Sequence, residues 1–125
     1  MKLLLDTHAV LWAVAEPELL SEPARVAIAD DRNAVAFSAG SVWEIAIKGA
    51  IGRLEVPADL VQSLLERQYS PLPITPEHAL AAGGLPPHHA DPFDRMLIAQ
   101  AQLEELTLVT RDEAFSAYNV SVLPA

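Results

Sequence analysis

The sequence predicts an α/β fold, in which helices cover both faces of a parallel β-sheet. Three observations predict it: short apolar segments of strand length recur along the chain, segments with helical periodicity separate them, and no repeat or long linker divides the 125 residues. We therefore expect a single domain over residues 1–125. In open sheets of this kind, ligands bind beyond the carboxyl ends of the strands, so polar residues that directly follow strands are candidates for a functional site.

Five short apolar segments are predicted to form the strands. The first contains three consecutive leucines without alternation, which is typical of a strand that is buried on both faces. The predicted strands are Lys2–Leu5, Ala34–Phe37, Leu72–Ile74, Leu108–Thr110 and Val120–Leu123.

Seven segments between these strands are predicted to form helices. Prolines such as Pro76 and Pro92 fit the first turn of a helix, and glycines such as Gly52 and Gly83 mark helix ends. The predicted helices are Ala9–Ala15, a segment that follows Ser21 and ends near Asp30, Ser41–Ala50, Asp59–Tyr69, Thr75–Gly83, Pro92–Leu106 and Glu113–Tyr118.

Charge and composition exclude several classes of protein. The formal net charge is −9, which argues against a general nucleic-acid binder and suits a protein that binds divalent cations or a basic partner. The chain has no cysteine, so disulfides and thiolate-bound zinc are excluded. The apolar N-terminal run is too short for a signal peptide, and no stretch approaches the ~20 apolar residues of a membrane span. We therefore expect a cytoplasmic protein that does not contact a membrane.

Asp6 directly follows a predicted strand, and Asp112 follows another with only Arg111 between them. Either residue alone is explained as the N-cap of the helix that comes next. Two strands that end in aspartate within one parallel sheet also place both carboxylates at the same edge, where a ligand would bind.

Glu44 lies on a predicted helix that is apolar nearly all round, so this helix should be largely buried. Its only polar stripe is formed by Ser41, Glu44 and Lys48. One interpretation is a surface stripe with a Glu44–Lys48 ion pair, worth ~0.2–0.5 kcal/mol. The other is a carboxylate held in a cleft with Lys48 as the orienting cation. Burying an unpaired carboxylate is costly, so this second interpretation requires a metal or another cation.

Asp91 and Asp94 open the long helix near the C-terminus. Asp91 fits the N-cap and Pro92 the first helical position, so a structural role is favoured for Asp91, with an ion pair to Arg95 as a further possibility. Asp94 falls at the third helical position, where acids interact favourably with the helix dipole. A helix N-terminus can also direct such a side chain into a cleft, so both roles stay open for Asp94.

Other polar and aromatic residues near the acids have weaker signals. His88 and His89 are expected in a solvated loop, whereas His8 either contacts substrate or packs locally. Solvated ion pairs are favoured over phosphate contacts for Arg95 and Arg111. Hydroxyl groups either orient the carboxylates or cap helices, and they belong to Thr7, Ser38, Ser41 and Thr110. The aromatic residues expected in the core are Trp12, Trp43, Phe93 and Phe115.

A cluster of carboxylates has a specific chemical use. Like charges brought close raise one another's pKa and destabilise the fold unless a cation is present. Mg²⁺ prefers oxygen ligands, and a bound metal can activate water and stabilise charge on a phosphate. From the residues alone, metal binding is indicated, and phosphodiester hydrolysis is compatible with it.

At these same residues the sequence resembles the PIN-domain family, and within it the VapC-type toxins of bacterial toxin–antitoxin pairs. Each motif alone is weak, but four in this order and spacing are specific, and no acidic position of the pattern is missing. The matching stretches are Leu4–His8 with Leu11-Trp12, Ser38 and Ser41–Lys48, Gly52–Leu54, His89–Ala101, and Leu108–Asp112 with Phe115.

The resemblance implies a PIN-like fold, with a parallel sheet of about five strands flanked by helices. It implies that the metal ligands are Asp6, Glu44, Asp94 and Asp112, with Asp91 as a supporting residue. It further implies endonucleolytic cleavage of RNA with Mg²⁺ or Mn²⁺, a homodimer, and a cognate antitoxin whose C-terminal segment covers the cleft. The acidic net charge agrees with a basic inhibitory segment, because complementary charge steers association.

Two other functions compete with the ribonuclease hypothesis. A catalytically inactive PIN-fold binding module would be favoured by the loss of one acid, and none is lost here. Another metal-dependent phosphohydrolase of α/β architecture is the second alternative. Many such enzymes carry a further aspartate two residues after the first, but here that residue is His8.

Overall fold

The computed structural model describes residues 1–125, with five strands, six α-helices and two 3₁₀ segments. In chain order the elements are β1 (Lys2–Leu5), α1 (Thr7–Ala15), a 3₁₀ segment (Pro17–Leu19), α2 (Glu22–Ala29), β2 (Ala34–Ser38), α3 (Ala39–Ala50), α4 (Leu60–Glu66), β3 (Ser70–Leu72), α5 (Pro76–Gly83), α6 (Pro92–Glu104), β4 (Thr107–Thr110), a second 3₁₀ segment (Glu113–Ala117) and β5 (Val122–Pro124).

The five strands form one parallel sheet in the order β3-β2-β1-β4-β5. The predicted α/β class and parallel sheet are therefore confirmed. The chain adds β2 and then β3 on one side of β1. It then crosses back and adds β4 and β5 on the other side of β1. The strand order thus reverses between β1 and β4, and this is where ligand sites form in such sheets.

The core lies on both faces of the sheet. Leu3 and Leu5 of β1 belong to a buried cluster on one face, and Leu4 belongs to a second cluster on the other. All three leucines are fully buried, as their unbroken apolar run predicts. Burial of each such side chain stabilises the fold by roughly 1.5–3 kcal/mol, so the central strand is firmly held.

Several element boundaries differ from the sequence prediction. Strand β3 covers Ser70–Leu72 rather than Leu72–Ile74, and it lies at the sheet edge, where Pro71 is tolerated because its missing N–H is not needed. Helix α6 ends at Glu104, because Glu105 adopts a left-handed conformation and donates its N–H to Ala101 O. The predicted last helix is a 3₁₀ segment, and the 3₁₀ segment at Pro17–Leu19 was not predicted. No helix of the structure combines the length and apolar character needed to span a membrane.

Candidate metal centre

Asp6 and Asp112 follow β1 and β4, on the two sides of the point where the strand order reverses. Asp6 Oδ1 accepts a hydrogen bond from the Ala9 N–H at 2.8 Å, and Asp112 Oδ1 accepts one from the Ala114 N–H at 2.9 Å. Both residues are therefore N-caps, as the local interpretation predicts. Each capping interaction uses one carboxylate oxygen, and both residues line the adjoining cleft.

That cleft is a cavity of about 140 Å³, and it contains all four predicted acids. They come from four separate segments, namely the ends of β1 and β4, the middle of α3 and the first turn of α6. The residues that line the cavity are Asp6, Thr7, His8, Glu44, Lys48, Asp91, Asp94, Asp112 and Phe115.

Glu44 is held in the cleft rather than on the surface, since only 5% of it is exposed. Thr7 Oγ1 donates a hydrogen bond to Glu44 Oε1 at 2.6 Å, and Lys48 Nζ contacts Glu44 Oε2 at 2.6 Å. The hydrogen bond to Glu44 raises the pKa of Lys48. Lys48 therefore compensates a buried carboxylate and fixes its orientation, as the second interpretation of this stripe predicts.

The prediction that this helix is largely buried was wrong for one face of α3. Trp43 is 61% exposed, and Ile47 and Ile51 are also exposed. Ser38 caps the helix through the Gly40 N–H, so α3 begins before the predicted Ser41. An apolar helix face looks the same in a sequence whether its own domain covers it or leaves it open.

Asp91 and Asp94 have different roles at the start of α6. Asp91 Oδ1 accepts hydrogen bonds from the N–H groups of Phe93 at 2.8 Å and Asp94 at 3.1 Å, so Asp91 is the predicted N-cap. Burial raises the pKa of Asp94 to about 6, and repulsion from Asp91 and Glu44 adds to this shift, while His89 opposes it. Burial likewise raises the pKa of Asp6. Without a cation the charged forms of Asp6 and Asp94 are therefore disfavoured.

This electrostatic conflict predicts a pH dependence for the metal-free protein. Between about pH 4 and about pH 6, folded protein retains a proton on Asp94 that the unfolded chain has released. The free energy of unfolding therefore falls as the pH rises through this window, and Asp6 acts in the same direction. A divalent cation must displace the same proton, so its stabilising effect should grow over the same window.

Thermal unfolding with EDTA and with Mn²⁺, from pH 4.5 to pH 7, measures both trends. We expect the gap between the two melting temperatures to widen as the pH rises, and Asp94→Asn to flatten the metal-free curve. A metal-free protein that gains stability from pH 5 to pH 7 would contradict this account.

His89 was predicted to lie in a solvated loop, and that prediction was wrong. Its Nε2 lies 2.8 Å from Asp94 Oδ2 and 3.7 Å from Asp112 Oδ2, and its side chain is 20% exposed. Its backbone N–H donates to Tyr118 Oη at 2.9 Å. The neighbouring His88 is exposed, as predicted. The sequence holds no local signal that separates the two histidines, because the contact that orients the loop comes from Tyr118.

Arg95 and Arg111 were predicted to form solvated ion pairs, and both instead bind backbone carbonyls. Arg111 donates to the carbonyls of Leu19 and Ala125 and lies over the Trp12 ring. The Arg95 guanidinium makes no hydrogen bond to the Asp91 carboxylate and donates instead to a set of backbone carbonyls. These belong to Ala82, Gly83, Leu85, Pro86 and His89.

The remaining predictions are partly confirmed. Thr7 orients Glu44, and Thr110 Oγ1 accepts from the Asp112 N–H at 3.1 Å. Among the aromatic residues, Phe115 is buried, whereas Trp43 lies exposed with its ring edge-on to Phe93, 5.3 Å between centroids.

Comparisons with known proteins agree with this fold. The chain matches the PIN domain family over residues 3–120. It is 32% identical over 118 residues to Ribonuclease VapC22 of Mycobacterium tuberculosis (strain ATCC 25618 / H37Rv), an alignment that covers 92% of this chain and 90% of the relative.

Two solved structures share the fold. VapBC2 from Rickettsia felis, bound to a DNA fragment from its promoter, superposes with a TM-score of 0.71 at 15% identity and covers 98% of both chains. FitAcB from Neisseria gonorrhoeae superposes with a TM-score of 0.61 at 24% identity, covering 98% of this chain and 96% of the other. The family match spans most of the sequence, including the segments that carry all four acids of the cleft. The chain belongs to the PIN-domain family.

Proposed function

We propose that this protein is a metal-dependent endoribonuclease and the toxin component of a toxin–antitoxin pair. The observation that carries the proposal is the meeting of Asp6, Glu44, Asp94 and Asp112 in one cavity at the point where the strand order reverses. The 32% identical relative, named as a ribonuclease, supports the choice of substrate class.

The donor set fits a hard divalent cation. Four carboxylates offer the oxygen ligands that Mg²⁺ and Mn²⁺ accept, and a cation relieves the repulsion that raises the pKa of Asp94. In our proposal the four acids hold Mg²⁺ or Mn²⁺, which supplies an activated water and stabilises charge on the phosphate.

The chain's own residues then have positioning tasks. Lys48 and Thr7 hold Glu44 in one orientation through its two oxygens. Asp91 fixes the first turn of α6 and thereby the direction of Asp94. Phe115 closes one side of the cleft with an apolar ring, which limits bulk water around the reacting phosphate.

RNA cleavage provides the direct test of the proposal. Purified protein without any partner is incubated with a mixed RNA pool in Mg²⁺, Mn²⁺ or EDTA. We expect fragments with either metal and none with EDTA. Intact RNA in all three conditions, from folded protein that binds metal, would favour the inactive binding module.

RNA binding at this cleft must use little positive charge. Lys48 is the only lysine or arginine that lines the cavity, and it is paired with Glu44. The guanidinium groups of Arg95 and Arg111 already donate hydrogen bonds to backbone carbonyls. The residues of the cleft therefore offer little positive charge to a phosphate. A cation held by the acids would supply that charge, and further affinity must come from the bases.

An exposed aromatic surface beside the cleft fits this need. The rings of Trp43 and Phe93 line an apolar cavity of about 210 Å³ together with Gly40, Ile74, Pro92 and Met96. Trp43 directly precedes Glu44 on α3 and Phe93 directly precedes Asp94 on α6, so both rings lie on the helices that carry two acids of the cleft. We infer that a base next to the cleaved phosphate stacks on Trp43.

Trp43→Ala should raise the KM for RNA by about 5- to 150-fold with little change in kcat, because stacking on an aromatic ring is worth about 1–3 kcal/mol per base. Steady-state cleavage of a defined RNA measures this. Trp43→Phe keeps a ring and should retain most of the affinity, and Ile51→Ala removes an exposed apolar side chain of the same helix region as a control. An unchanged KM in Trp43→Ala, with weaker inhibition by a protein partner, would assign the surface to that partner instead.

The partners are also proposals. The solved structures that share the fold include VapBC-5 from Mycobacterium tuberculosis, a member of the VapBC family of toxin–antitoxin systems, and by analogy we propose a cognate antitoxin for this chain. The net charge of −9 and the acidic cleft fit an antitoxin with a basic inhibitory segment. We also propose a homodimer, which light scattering on the purified chain would test.

A further inference from the structure

His89 brings a nitrogen donor to the acids of the cleft. Its Nε2 lies close to one oxygen each of Asp94 and Asp112, and the three donor atoms lie within 4.8 Å of one another. Neither the family match nor the four-acid pattern assigns a function to this side chain.

The donor spacing fits a single ion. Ligand atoms about 2.1 Å from one octahedral ion lie about 3.0 Å apart when adjacent and about 4.2 Å apart when opposite. The distance of 2.8 Å from Nε2 to Asp94 Oδ2 is close to the value for adjacent ligands, and the distance of 3.7 Å to Asp112 Oδ2 lies between the adjacent and the opposite values. Small side-chain adjustments would therefore let all three atoms contact the same cation.

His89 is also held in place before any ion arrives. The backbone N–H of His89 donates to Tyr118 Oη, and the same hydroxyl donates to Pro86 O at 2.7 Å. Its carbonyl accepts from Arg95 Nη1 at 3.2 Å, and its ring packs 6.0 Å from the Phe115 ring. This degree of fixation distinguishes His89 from the exposed His88 and is what a ligand residue requires.

We propose that His89 supplies a nitrogen ligand beside Asp94 and Asp112, and that the centre consequently prefers a transition ion such as Mn²⁺ over Mg²⁺. This proposal rests on the proposed metal-dependent function. Mg²⁺ binds oxygen ligands almost exclusively, whereas first-row transition ions also accept imidazole, Fe²⁺, Ni²⁺ and Zn²⁺ more strongly than Mn²⁺. When His89 acts as a ligand, its Nε2 lone pair faces the ion and its ring proton lies on Nδ1.

The test measures binding of the metals alone. Calorimetric titration with MnCl₂ and with MgCl₂ is carried out on the full chain and on His89→Gln, with His88→Gln as the matched control. We expect His89→Gln to weaken Mn²⁺ binding by about tenfold or more and Mg²⁺ binding by much less, so that the preference for Mn²⁺ disappears. His88→Gln should bind both metals as the unchanged chain does.

Pulsed electron paramagnetic resonance of the Mn²⁺ complex reports on the ligand directly. Modulation from ¹⁴N should be present in the unchanged chain and in His88→Gln, and absent in His89→Gln. Nitrogen modulation that persists in His89→Gln and disappears in His8→Gln would overturn the assignment, since His8 also lines the cleft. Equal weakening of both metals by His89→Gln, without nitrogen modulation in the unchanged chain, would reduce His89 to a positioning residue and overturn the proposal.

These outcomes are distinct from failure of the proposed function. If the unchanged chain binds neither metal and cleaves no RNA, the metal-dependent ribonuclease itself is wrong. If it binds metal and cleaves RNA while His89→Gln retains the Mn²⁺ preference, only the nitrogen ligand is wrong.

Discussion

Asp94→Asn should reduce kcat/KM for metal-dependent RNA cleavage by about a thousandfold or more, equivalent to about 4 kcal/mol of transition-state stabilisation. Asparagine keeps the shape of the side chain but removes the charge that neutralises the cation. The same change removes a carboxylate whose pKa is raised to about 6, so the metal-free variant should be at least as stable as the unchanged chain at pH 7. Loss of cleavage without loss of stability separates a ligand role from a folding role.

The matched control for this change is Asp91→Asn. Asp91 lines the same cavity, lies three residues earlier and caps the helix through one oxygen, and asparagine is an equally good N-cap. We expect this variant to retain cleavage within about tenfold, since its charge only supports the site. Steady-state RNA cleavage measures kcat/KM for both variants, and thermal unfolding measures their stability. If Asp91→Asn is inactive while Asp94→Asn still cleaves, the third acid of the site is misassigned.

Arg95→Ala should lower the free energy of unfolding by about 2–4 kcal/mol, a large effect for a partly exposed side chain. The guanidinium joins the end of α5 and the following loop to α6 through five backbone carbonyls. Without it those carbonyls lose a charged donor, and the loop that carries His89 loses its fixed conformation. Metal affinity should therefore fall together with stability.

Chemical denaturation and metal titration measure the two effects of Arg95→Ala. Arg53→Ala changes the net charge equally at an exposed position and should leave both quantities nearly unchanged. Arg95→Lys should recover little of the loss, because an ammonium group cannot reproduce the planar set of donors that reaches several carbonyls. An Arg95→Ala variant as stable as Arg53→Ala would show that the loop does not depend on these bonds.

Local signals in the sequence indicated Asp6, Glu44 and Asp112 as candidates, whereas the full set of four acids, with Asp94, was implied by the resemblance to the PIN-domain family. Asp6 directly follows the buried strand β1, and Asp112 lies two residues after the end of the buried strand β4. The carboxyl ends of parallel strands lie at one edge of the sheet. Glu44 was recognisable because a lone acidic residue with Lys48 one turn later interrupts an apolar helix. These relations depend on strand and helix periodicity, which a single sequence carries.

The features that the sequence did not predict depend on distant contacts. His89 is directed into the cleft by Tyr118, 29 residues later, and Arg95 binds carbonyls whose positions exist only once α5 and α6 pack together. Trp43 was assigned to the core because its helix is apolar, yet nothing in the helical pattern shows which face the rest of the domain covers. Loop conformation and uncovered faces thus required the three-dimensional structure.

A crystal of the protein soaked in MnCl₂ tests whether the four acids form a metal centre. Anomalous scattering locates Mn²⁺ without assumptions about the ligands. We expect an anomalous peak in the cavity within coordination distance, about 2.0–2.4 Å, of carboxylate oxygens of Asp94 and Asp112. We expect Asp6 and Glu44 to bind the same ion directly or through water. A fully ordered cleft without an anomalous peak at saturating Mn²⁺, or a peak only at an acidic patch elsewhere on the surface, would contradict the proposal that these four acids form a metal centre.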